Sequence, residues 1–295
     1  EGMERGDLQR LVVDAGANPE EKVVLTRAED EAGQWLVENH YDAPVDEDQI
    51  SFYLDTLTGL KGELREAEAS EERLAEYSLQ SDEAFHVEGY ADGEEPAFTI
   101  LSGARAGMNQ AFVRLADSGD VYLVDESPRQ AAGVTGEDMA KAPDPARWVD
   151  KVVLDLEKDA VTRIAVNAPY KQMVFEKREK AADADGEDAA EADAAEPADA
   201  EANDTEEDAE PEFEWVMVEG DPGYALKASG VDSILRTADM LRAVDVVDPS
   251  TLAEWGLEEP ELRAEFALDD ATEPTVVVGG RSDPASDGYL MVEGR

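Results

Sequence analysis

The hexapeptide LAEYSL at residues 74–79 returns as LAEWGL at residues 252–257. Six residues alone carry little weight, but the segments on either side also align, in the same order, and this constrains the chain to a duplicated unit. Upstream, residues 45–57 (VDEDQISFYLDTL) match residues 230–241 (GVDSILRTADML). Each reads as a helix, with Ile50, Leu54 and Leu57, or Ile234, Ala238 and Leu241, on one face.

Before each helix stands an aromatic-led strand, QWLVE at 34–38 and EWVMV at 214–218. Two earlier strand pairs also match: LQRLVV at 8–13 with VTRIAV at 161–166, and KVVLTR at 22–27 with QMVFEK at 172–177. After the hexapeptides, residues 84–88 match 263–268, residues 95–101 match 273–278, and residues 111–115 match 289–292. The first copy closes with a further strand at 120–124, whose counterpart falls beyond Arg295. The second copy is therefore expected to be truncated at its C-terminus, leaving an exposed edge strand.

The expected fold class is α+β: a tandem repeat of two similar modules, each an antiparallel sheet built from two meanders with an intervening helix. The expected domains are 1–125 for the first repeat, 126–150 for a linker with short helices, and 151–295 for the second repeat. Pro128, Pro143 and Pro145 suit the linker to turns rather than strands. Residues 180–212 form an acidic insertion in a hairpin of the second repeat. Made mainly of Ala, Asp and Glu, it buries too little to offset ordering entropy and reads as disordered.

The 73 acidic residues against 25 Lys and Arg give a net charge of -48. Such a field repels phosphate backbones, so no nucleic acid is expected as a partner. Acids spread over both halves fit adaptation of the surface to high salt better than a specific taste for cations or basic partners. With no cysteine, disulfides, thiolate nucleophiles and Cys-based zinc sites are excluded. No apolar run reaches the roughly 18 to 20 residues of a membrane span.

No catalytic, cofactor-binding or metal-ligating residue is assigned from the sequence, and no cofactor. His40 and His86 form no HExxH or paired-ligand spacing and read as surface or packing residues. Residues 102–107 (SGARAG) lack the dinucleotide and P-loop spacings, and read as a hairpin turn, with Gly279, Gly280 and Arg281 in the second copy. The run DADGED at 183–188 lacks the twelve-residue EF-hand frame. Trp35 and Trp215, Tyr77 and Trp255, and Phe112 and Tyr289 occupy matched positions, which favours core anchors over a ligand platform.

The Trp-led strand, helix, Leu-Ala-Glu-aromatic turn and strand pair, together with RWVDKVVL at 147–154 and Thr162, Arg163 and Ile164, resemble an uncharacterised bacterial family. Its members often occur beside gliding-motility-type ABC-2 export permeases and their ATPases. The resemblance covers nearly the whole chain. It implies an extracytoplasmic accessory component, periplasmic or at the cell surface, held by a membrane anchor that this chain lacks. Recognised catalytic residues are absent from the family, and the implied partners are the ABC-2 permease and ATPase or other envelope proteins. Ser78 departs from the pattern, standing where the second copy has Gly256. The reading is a non-enzymatic scaffold; its rivals are an envelope-polymer hydrolase using paired carboxylates and a cation-binding acidic module.

Overall fold

Alternating apolar residues and β-branched runs put most of the chain into strands. The computed structural model, which describes residues 5–28, 33–180, 212–220, 228–283 and 288–294, is a mixed α+β fold of mostly antiparallel sheets with few helices. It divides into two units: Glu1–Lys151 with Ala243–Ser250, and Val152–Arg242 with Thr251–Arg295.

The first unit begins with β1 (Arg10–Ala15), β2 (Asn18–Arg27), β3 (Trp35–Val37) and β4 (Ala43–Pro44), followed by helix α1 (Glu47–Thr58). Then come β5 (Gly62–Glu66), the short helix α2 (Glu71–Glu76), β6 (Phe85–Tyr90), β7 (Phe98–Arg105), β8 (Ala111–Leu115), β9 (Val121–Val124) and α3 (Pro128–Ala131). The strands form one sheet in the order β4-β3-β2-β1-β6-β7-β8-β9-β5. Its register sets Val13 opposite Val23 on one side and Val87 on the other, and all three are buried.

Helix α1 starts where Asp46 accepts a hydrogen bond from the Gln49 N–H, with Glu47 and Asp48 favourably placed against the helix dipole in the first turn. Its buried face, Ile50, Tyr53, Leu54 and Leu57, packs on the sheet. Each such side chain contributes about 1.5–3 kcal/mol by leaving water. The segment after β9 completes this core: Ala132, Val134, Trp148 and Val149 are buried against it. Residues 126–150 therefore form part of the first unit's interior. Val246 packs on the same core, and this fits the assignment of Ala243–Ser250 to the first unit.

In the second unit, β10 (Val152–Leu154) precedes β11 (Val161–Ala168), β12 (Lys171–Glu179), β13 (Phe213–Glu219) and helix α4 (Ala228–Asp239). They are followed by β14 (Leu241–Arg242), β15 (Leu262–Leu268), β16 (Thr275–Arg281) and β17 (Gly288–Val292). The main sheet has the order β13-β12-β11-β15-β16-β17, and β10 pairs separately with β14. The expected disorder of the acidic insertion falls largely outside the described residues, as does the 183–188 run. The strands that bracket it are paired, and the Lys180 N–H donates to the Glu212 carbonyl at 2.8 Å.

Two local expectations need correction. The buried residues of α4 are Val231, Leu235 and Ala238, with Ile234 half-buried and Leu241 already in β14. The helical period is right, but the face is rotated because the sheet meets the helix at Val231. Gly103 and Gly280 lie inside β7 and β16, not in hairpin turns. There, other backbone passes so close that a Cβ on Gly103 would sit 2.2 Å from the Tyr77 carbonyl oxygen, and one on Gly280 2.1 Å from that of Gly256.

Candidate functional site

The most concave apolar feature of the second unit lies between α4 and the sheet. Period-3.6 spacing brings Ser233, Ile234, Thr237 and Ala238 to one side of α4. Period-2 alternation brings Leu262, Ala264 and Phe266 of β15, with Val277 and Leu290 of the next two strands, to the facing surface. Leu154 and Leu241 close one end of a groove of about 440 Å³.

The groove offers no polar anchor from its hydroxyls. Ser233 Oγ donates to the Ser229 carbonyl at 2.7 Å and Thr237 Oγ1 to the Ser233 carbonyl at 2.9 Å, so both are bonded back to their own helix. Leu290 is 41% exposed at the lip. Such a surface recognises shape and apolar chemistry.

The aromatic residues matched in the sequence divide differently. Trp35 is buried in the first unit's core, and Trp215 is half-buried against the second unit's. Tyr77 meets Phe112 at 4.5 Å between ring centroids, and Trp255 meets Tyr289 at 4.7 Å. These two ring pairs belong to small satellite clusters, one built around Leu74 and Leu79 and the other around Leu257.

Both histidines have carboxylate partners, which the sequence reading missed. His86 Nδ1 lies 3.1 Å from Asp14 Oδ1, across the β1–β6 ladder where the two residues are direct partners. Hydrogen bonding to Asp14 raises the His86 pKa above the ordinary imidazole value, against the opposing effect of burial. His40 Nε2 lies 3.0 Å from Asp245 Oδ1. The register of β1 against β6 is the signal that would have exposed the first pair.

Two buried arginines act as loop clamps. Arg114 Nε donates to the Leu79 carbonyl, and its Nη1 to the carbonyls of Leu115, Ala116 and Ser118. Arg129 donates to the carbonyls of Gly136 and Asp138, fixing the turn that carries Val134 into the core. Arg129 also lines a groove of about 460 Å³ with Arg105 and Glu137.

Among the described residues, no group of three or more His, Asp and Glu side chains is arranged to hold a metal ion. No helix among them is long and apolar enough to cross a membrane. No curated protein and no solved structure matches the chain. A family model described as a domain of unknown function, DUF4340, matches residues 35–210, well over half of the sequence, and the chain belongs to that family.

Proposed function

We propose that the chain is a non-enzymatic accessory scaffold of an ABC-2-type export or envelope complex, built from two copies of one α+β module displayed outside the cytoplasm. The observation that carries the duplicated scaffold is the strand order. Taken across each sheet, β3-β2-β1-β6-β7-β8 and β13-β12-β11-β15-β16-β17 list matched segments in matched places. Helix α1 corresponds to α4, each of 12 residues and each following the third strand of its unit.

Finer geometry supports the same reading. The Leu79 N–H donates to the Leu74 carbonyl at 2.9 Å, and the Leu257 N–H to the Leu252 carbonyl at 2.9 Å. The residues just before those leucines, Ser78 and Gly256, are both left-handed, with φ of 53° and 70°. A duplicated platform of broad sheets suits the holding of other polypeptides, through sheet edges and apolar grooves.

Purification from native membranes of the full-length protein, with its anchor, tests the accessory role. Salt high enough to screen the acidic surface should be used throughout. Co-purification of an ABC-2 permease and its ATPase is the expected result. Recovery of the protein without any membrane partner would overturn it.

A further inference from the structure

We propose that the apolar groove of the second unit is a docking site for a partner polypeptide, which inserts a short apolar segment carrying a large aromatic side chain. The proposal rests on the reading of the chain as two copies of one module, and it names the place and chemistry of one contact.

The argument comes from what covers the equivalent face in the first unit. The register of the two sheets makes Ala264 correspond to Val87, Val277 to Ile100, and Leu290 to Val113, because each set forms one line of cross-strand neighbours. Aligning the ends of the two helices makes Ile234 correspond to Tyr53. In the first unit Val87, Ile100, Val113 and Tyr53 are all buried. Helix α1 covers them only in part; the remaining cover is Ala132, Val134, Trp148 and Val149, with Trp148 set against Tyr53.

In the second unit the same positions are open. Ile234 and Ala264 are half-buried, Leu290 is exposed, and no described residue stands where Trp148 and Val134 stand in the first. An apolar face that its sister module covers with an aromatic-bearing segment is matched by a segment of that kind. The side-chain filling of the sister face favours a polypeptide over an acyl chain. Net charge of -48 on the chain favours a partner with basic residues flanking its apolar segment.

The test uses the intact chain with labelled Ile, Leu and Val methyls, and a synthetic peptide of residues 127–150 as the stand-in for the partner segment. The expected result is saturable shifts confined to the methyls of Ile234, Leu262, Val277 and Leu290. Affinity should fall at least tenfold for a Trp148→Ala peptide. Shifts should also be lost in two variants of the chain: Thr237→Trp, which fills the groove from an exposed helix position, and Leu290→Asp, which charges its lip. Absence of shifts at about 1 mM peptide, weaker than any useful docking contact, would overturn the proposal. So would dodecanoate shifting the same methyls while the peptide fails to displace it, which would make the groove an acyl-chain site. Either failure leaves the accessory role to the membrane purification and the duplication to superposition of the two units in an experimental structure.

Discussion

The indole of Trp148 meets the phenol ring of Tyr53 edge-on, with centroids 5.1 Å apart and planes inclined at 73°. Both side chains are fully buried, so the chain that follows β9 is anchored to the middle of α1 by an aromatic contact inside the core. Trp148→Ala should cost about 3–5 kcal/mol, by loss of burial and the cavity left behind. Urea unfolding of the first unit would measure it.

The same contact makes a gentler prediction. Among the described residues the Tyr53 hydroxyl has no hydrogen-bond partner, and burial pushes its pKa far above the ordinary phenol value. Tyr53→Phe removes a desolvated polar atom while keeping the ring, so stability should be unchanged or rise by up to about 1 kcal/mol. A marked loss in thermal unfolding would show that the hydroxyl is satisfied in solution.

Ser78 and Gly256 hold the same left-handed conformation but respond oppositely to exchange. A side chain in this region costs roughly 1–2 kcal/mol, offset in part by the unfolded-state entropy of glycine. Ser78→Gly should therefore stabilise by about 0.5–1 kcal/mol. Gly256→Ala adds a clash, since its Cβ would lie 2.5 Å from the Arg281 carbonyl oxygen, and should cost more than about 2 kcal/mol. Denaturation midpoints of the two variants should move in opposite directions.

His86 makes stability depend on pH. Its pKa is raised in the folded state, first by hydrogen bonding to Asp14. The contribution is then fully present below the unfolded imidazole value of about 6.5 and is lost as pH rises through the higher folded value. His86→Gln should flatten that part of the stability profile. An NMR titration of the imidazole that gives an unshifted or lowered pKa would refute the assignment.

Charge repulsion should make the protein salt-responsive. With a net charge of -48, raising KCl from about 0.05 M to 1 M shortens the screening length several-fold. Melting temperature should rise with salt, and potassium and sodium should act alike. A sharp preference for millimolar calcium at constant ionic strength would instead mark a specific cation site.

Most strands were legible because their residues alternate or run as β-branched blocks between turn residues, as in β8, where residues 111–115 were expected and Ala111–Leu115 was found. The sequence did not announce β5, whose residues Gly62, Glu63, Leu64 and Arg65 are exposed at the sheet's edge, so no apolar alternation marks it. The groove was equally illegible. Periodicity can nominate Ile234 as a residue of an apolar face, but whether anything covers that face depends on segments remote in the chain. Asp14 and His86 became a pair only once β1 and β6 were known to be neighbours in register. Gly103 carried a misleading cue, since its neighbouring glycine suggested a turn while its cause is the Tyr77 backbone pressed against a strand.

The closure of β12 on β13 at Lys180 and Glu212 makes this seam permissive. Lys180 adds a side-chain ion pair to Glu212 at 3.0 Å beside the backbone bond, so the hairpin's register is set before the intervening residues are counted. Loop length then enters only through a logarithm, about 0.6 kcal/mol per doubling. A lineage, or an experimenter, can lengthen, recode or graft a reporter into residues 181–211 while the sheet keeps its alignment.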